Sequence, residues 1–142
     1  MNFYHFSKKP LGKIRSVKQT NLGIKPDGFW FSVEDEWKDW CDCEGFAQDR
    51  LTYRSQVFIN TENMLVLKTE KDIVDFRDEY DENWVINWSN VAQKYDGILI
   101  EHYYFNLRYQ KNMTWYYVWD VASGCIWNKK AIDRIVPIIH DV

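Results

Sequence analysis

Three short stretches of this chain bring together residue types that can do chemistry, and they come in a defined order. The first, Phe3-Tyr4-His5-Phe6-Ser7, sets an imidazole among aromatic rings and a hydroxyl. The second, Lys25-Pro26-Asp27-Gly28-Phe29-Trp30-Phe31-Ser32, passes from turn residues into aromatics and a second hydroxyl. The third, Tyr95-Asp96-Gly97-Ile98-Leu99-Ile100, ends on Glu101, and a further carboxylate, Asp120, precedes the apolar run up to Trp127. Imidazoles and hydroxyls hydrogen-bond polar ligand groups, and aromatic faces stack on flat rings. Each residue also has an ordinary role: a histidine near a strand end is a half-exposed polar residue, as His102 and His140 also read. Asp96-Gly97 is a common turn pair.

Several other chemistries lack their parts. Cys41-x-Cys43 does not have the spacing of a metal-ligand pair, because positions i and i+2 of a helix point to different sides. No metal site is expected. Cys125 lies among apolar residues and reads as a buried small hydrophobe. Neither GxGxxG nor GxxxxGK[ST] occurs, and GxSxG is absent, so Rossmann, P-loop and serine-hydrolase chemistry have no fingerprint.

The elements that must hold these residues follow from periodicity. Strands are predicted at 2–6 and 29–33, the latter opened by Pro26-Asp27-Gly28. Trp37, Trp40, Cys41 and Glu44 fall at i, i+3, i+4 and i+7, which predicts a helix over 35–45 burying both tryptophans. Residues 53–59 and 64–68 are expected to pair around Asn60-Thr61-Glu62-Asn63. Thr69-x-x-Asp72 has the form of a capping box, opening a helix with Ile73, Phe76 and Tyr80 on its apolar stripe. Another helix is expected from Asn87 to Tyr95, burying Trp88, Val91 and Ala92 or Tyr95, followed by a buried strand at 98–100. Strands at 115–119 and 124–127, and a last one near 135–139, complete a single α+β domain over 1–142.

Composition bounds the function. The chain has 142 residues, 46% hydrophobic and 18% aromatic, which excludes disorder and a Leu/Ala helical bundle. Its three cysteines show no framework spacing and suggest a reducing compartment. No apolar run reaches the ~18 residues of a membrane span, and the start does not read as a signal peptide, so a cytoplasmic protein away from the membrane is expected. The net charge of −3 hides a division. Residues 1–26 carry six basic groups and no carboxylate, whereas residues 27–50 carry eight carboxylates against Lys38 and Arg50. The basic segment could face phosphates or simply be a solvated face.

Taken in order, the YHFS strand, the GFWFS strand and the YDGI strand resemble those of compact ADP-ribosyltransferase-like proteins of phage and bacterial type. The resemblance spans nearly the whole chain. It implies two small packed β-sheets with short helices and a cleft for NAD, the substrate, between them. It implies that His5 bonds the adenosine-side ribose, that backbone at Phe6 and Ser7 holds the nicotinamide amide, that Trp30 or Phe31 walls the nicotinamide ring, and that Ser32 places a hydroxyl near the reacting ribose. That family carries Glu or Gln on its last catalytic strand. Here residues 120–127 contain no Glu, so the carboxylate that stabilises the oxocarbenium-like state would be Asp120 or Glu101.

Three functions follow as expectations. The first is transfer of ADP-ribose from NAD to a protein or nucleic-acid acceptor; the small size suggests, by analogy, a toxin or phage counter-defence factor. The second is an inactive module that keeps the fold and binds a protein or nucleotide partner. The third is single-stranded nucleic-acid binding through the basic segment 8–25. Most tryptophans read as core or cleft walls, with Trp30 set apart by its neighbours Gly28 and Ser32.

Overall fold

The first two aromatic stretches form adjacent antiparallel strands in the computed structural model, which describes residues 1–138; His140 lies outside them. Strands β1 (Phe3–Ser7) and β2 (Phe29–Val33) sit near the middle of a seven-stranded sheet. β3 (Tyr53–Ile59) follows β1 on one side. On the far edges lie β4 (Leu65–Leu67) and β9 (Ile132–Ile138), while β7 (Gly97–Ile100) and β8 (Ser123–Ile126) complete the half next to β2. The order is β4-β7-β8-β2-β1-β3-β9, antiparallel throughout except for the parallel pair β4·β7. A separate ribbon joins β5 (Asp81–Glu82) to β6 (Val85–Ile86).

Among the described residues four α-helices complete the α+β architecture: α1 (Glu36–Glu44), α2 (Glu70–Tyr80), α3 (Trp88–Lys94) and the single turn α4 (Thr114–Tyr117). The capping box forms as the sequence predicts, with Thr69 and Asp72 each bonding the other's backbone, and Ile73, Phe76 and Tyr80 are buried. Asn87 caps α3, whose Trp88 and Val91 are also buried. The two faces of the sheet carry separate cores. One packs Ile98, Ile100 and Cys125 against α2, α3 and α4. The other gathers Phe29, Phe31, Val57, Leu99 and Ile126, and draws in Val66 and Ile135 from the two edge strands, so the sheet curls on that side. Gly124 is required there, since a Cβ would stand 2.3 Å from the Phe31 ring.

Several expectations from periodicity are corrected. Residues 115–119 begin in helix α4 rather than a strand: neighbouring Trp115 and Tyr116 are both wholly buried, whereas neighbours on a strand face opposite ways. An unbroken aromatic run has no period to separate the two. Strands β3 and β4 do not pair with each other; β3 lies between β1 and β9, and β4 pairs with β7 at the opposite edge. A polar connection shows where a strand ends and is silent about its partner. On α1 only Cys41 is buried; Trp37 and Trp40 stack on each other with ring centroids 5.3 Å apart and stay half-exposed. In place of two small packed sheets there is one continuous sheet with the short ribbon. Its continuity between β1 and β2 rests on two pairs, Phe3↔Val33 and Tyr4↔Ser32.

Residues 8–28 contain no helix or strand but are tied down. Val17 N–H bonds the Trp127 carbonyl at 2.8 Å, and the Trp88 indole donates to the Ile24 carbonyl at 2.9 Å. The Gln19 amide reads both backbone groups of Asp27, at 2.7 and 2.9 Å. This fixes the approach to Gly28, where a Cβ would stand 2.5 Å from the Ile126 carbonyl oxygen. Lys25 is thereby carried to the cleft described next. No helix among the described residues is long and apolar enough to cross a membrane.

Candidate functional site

A cleft opens where β1 and β2 part. Tyr4, His5, Phe6, Lys25, Trp30, Phe31 and Ser32 line it, together with Trp37, Trp119, Val121 and Ser123, around a cavity of about 230 Å³. Alternation along the strands sorts these side chains. The register Tyr4↔Ser32 and Trp30↔Cys125 sets Tyr4, Phe6, Trp30 and Ser32 on the helix-covered face. His5 falls on the other face with Phe3, Phe29 and Phe31.

His5 nonetheless reaches the cleft, because the ladder has ended beside it. Its Nδ1 lies 2.5 Å from the Trp30 carbonyl oxygen, and its ring stacks on Phe29 at 4.3 Å. A carbonyl only accepts, so Nδ1 carries the hydrogen and Nε2 is left as an acceptor in the neutral ring. Burial pulls the imidazole below its ordinary pKa of 6.5, against the opposing effect of that hydrogen bond.

Of the two aromatic candidates, Trp30 supplies the wall. Its ring lies edge-on to Trp119 at 4.9 Å, with the Lys25 ammonium 5.3 Å from its centroid. Phe31 also borders the cleft, while its ring packs in the opposite core over Gly124. Ser32 lines the cleft but its hydroxyl donates to the Glu34 carbonyl at 3.1 Å. Ser7 is outside the lining; its hydroxyl donates to the Lys9 carbonyl at 2.7 Å.

The carboxylates separate clearly. Asp120 stands between two cleft residues, Trp119 and Val121, with a positive φ of 65° that an aspartate tolerates better than most residues. Its Oδ1 is 4.0 Å from the Arg108 guanidinium. Burial raises its pKa, while Lys25 and Arg108 oppose the rise. Lys25 is pulled down by burial and held up chiefly by Asp120. Glu101 closes β7, its N–H bonded to the Leu67 carbonyl at 3.1 Å, and is not part of the cleft lining. No carboxylate is among the residues that line the cleft.

Sequence reasoning missed Lys25 as a site residue, along with Trp119 and Arg108. Lys25 had a usable signal, since it opens the Lys-Pro-Asp-Gly turn into the Trp30 strand. Trp119 and Arg108 had none: Arg108 stands in a short 3-10 turn at Phe105–Tyr109 and Trp119 just past α4, and their spacing matches no site motif. Cys125 is wholly buried and its thiol is pushed well up by desolvation, which suits its reading as a small hydrophobe. On α1, Cys41 is buried and Cys43 exposed. Comparison with protein-family models, with curated proteins and with solved structures finds no match for this chain.

Proposed function

We propose that the cleft binds NAD and that the protein is an ADP-ribosyltransferase-like enzyme acting on a protein or nucleic-acid acceptor. One observation carries the reading: His5, Phe6, Trp30 and Ser32, singled out by the order of the sequence motifs, line a single cavity beside Asp120. The cavity volume of about 230 Å³ falls below the ~300–1,000 Å³ of typical small-molecule pockets. It suits one ring-and-sugar end of a dinucleotide, with the remainder lying along the open surface. Neutral His5 offers Nε2 to a ribose hydroxyl, Trp30 offers a stacking face, and Lys25 offers a cation to the diphosphate.

The reaction asks little else of the protein. The bond between the ribose carbon and the nicotinamide nitrogen breaks, and its electron pair neutralises the pyridinium. The acceptor's nucleophilic atom then bonds to that ribose carbon and releases its proton. Asp120 is the carboxylate for the positive charge that builds on the sugar; Arg108 lies 4.0 Å from it and the Lys25 charge favours its ionised form.

A second reading, an inactive binding module, is favoured by the absence of a carboxylate from the cleft lining. Titrating NAD into the protein while following tryptophan fluorescence tests binding, and release of nicotinamide over many turnovers tests chemistry. A saturable signal with turnover supports the enzyme. A saturable signal without turnover selects the module, and no signal up to millimolar NAD removes both as NAD-binding readings.

A further inference from the structure

The segment between β7 and β8 contains eight aromatic residues over 103–119, with Arg108 and Lys111 and no carboxylate. Five of these rings, Tyr103, Tyr104, Trp115, Tyr116 and Trp119, are in the core or packed against it. Three are on the surface: Phe105 is 55% exposed, Tyr109 69% and Tyr117 46%. They form one continuous patch. Tyr109 meets Phe105 edge-on at 5.8 Å and Tyr117 at 6.5 Å. Arg108 sits beneath, its guanidinium 4.7 Å from the Phe105 ring and 4.0 Å from the Tyr117 ring. Lys111 extends the patch toward Trp84, itself 62% exposed, with its ammonium 5.5 Å from that ring.

In a fold that buries Trp88, Trp115 and Tyr116 to 1% exposure or less, a contiguous patch of exposed rings marks an interaction surface. Nor is the patch remote from the cleft, because the guanidinium under Tyr117 is the one that faces Asp120. We propose that the Phe105/Tyr109/Tyr117 patch is a stacking platform for the bases of a single-stranded nucleic acid, which is the acceptor delivered to the Asp120 end of the cleft. Exposed rings gathered in one patch, backed by cations in a carboxylate-free segment, match the chemistry of unpaired bases on a phosphate chain. A basic peptide would be repelled by Arg108 and Lys111. The acidic surface of α1, around Asp39, Asp42 and Glu44, is where such a peptide would go instead. The acceptor role rests on the NAD reading above, whereas the binding surface stands independently of it.

The experiment is fluorescence anisotropy of an end-labelled single-stranded DNA of about 12 nucleotides, and of its duplex, titrated with the whole chain and no NAD. The single strand is expected to bind saturably and more tightly than the duplex, and Tyr109→Ala to weaken it about ten-fold. Tyr109→Trp, which keeps a stacking face, should retain binding. Tyr109 is the primary site because its ring is the most exposed of the three, at 69%; Phe105→Ala, checked by circular dichroism, should give a similar loss. Absence of binding at 50 mM salt overturns the platform. So does binding that ignores Tyr109→Ala and Phe105→Ala, which would mark a general polyanion site on the lysines. The NAD titration reads separately: oligonucleotide binding without NAD binding keeps the platform and removes the cleft assignment, and the converse result does the reverse.

Discussion

The His5 Nδ1 lies 2.5 Å from the backbone carbonyl of Trp30, across the point where the two central strands stop pairing. The bond does two things at once. It replaces the ladder that β1 and β2 no longer share, and it fixes the neutral tautomer that leaves Nε2 able to accept. A histidine on the far face of the sheet thereby becomes part of a cleft whose other walls stand on the near face.

This arrangement makes stability depend on pH with a definite sign. Burial sets the folded pKa of His5 below the ordinary 6.5. Below 6.5 the unfolded chain therefore binds more protons than the folded one, and stability falls as pH drops from there toward the folded pKa. His5→Gln should remove that component, so its melting temperature should fall less than wild type between pH 7 and pH 5. Asp120 and Glu36, both raised by burial, act in the opposite sense and remain in both proteins. Parallel melting curves across this range would show that His5 is not held neutral by its surroundings.

Asp120 and Glu101 can be told apart by conservative change. Asp120→Asn keeps a residue that tolerates positive φ, so the fold should hold while nicotinamide release falls at least ten-fold. Glu101→Gln, at a position outside the cleft lining, should leave release close to wild type. The reverse pattern would transfer the charge-stabilising role to Glu101.

Trp30 should report the ligand directly. Its ring lines the cleft beside Trp119 and Lys25, so NAD is expected to change tryptophan emission saturably. Trp30→Leu should remove most of that change and weaken binding by about 1 kcal/mol, roughly five-fold, through lost stacking. An undiminished signal in the variant would place the reporting indole elsewhere, with Trp119 or Trp37 the next to replace.

At the turn into β2, Gly28→Ala should cost about 1–3 kcal/mol in urea unfolding. The added carbon would stand 2.5 Å from the Ile126 carbonyl and 2.9 Å from the Cys125 sulfur, forcing backbone apart in the same strand pair that carries Trp30. NAD binding should weaken along with stability. A variant as stable as wild type would mean that β2 and β8 separate easily.

Local signals told a good deal about this chain. Thr69 and Asp72 announce α2, Asn87 announces α3, and the YHFS, GFWFS and DGI stretches are β1, β2 and β7. These elements are set by contacts within a few residues: caps, turns and the alternation of side chains. Pairing is another matter. The chain separates β3 from β4 by five residues and sends them to opposite halves of one sheet, and it coils Thr114–Tyr117 into a helical turn where a run of rings suggested a strand. Both outcomes are decided by which distant apolar face each segment buries, and no local pattern encodes that.

The candidate site divides along the same line. Motif order placed His5, Phe6, Trp30 and Ser32 together, because two adjacent strands bring them there whatever the rest of the chain does. Only the tertiary structure set His5 on the opposite face, turned Phe31 into the core, left Glu101 and Ser7 outside and brought Lys25 and Trp119 in. It also gathered Phe105, Tyr109 and Tyr117 into one exposed patch over Arg108. Strand alternation assigns a side chain to a face, but the curl of the sheet and the path of residues 8–28 and 101–122 determine what meets it there.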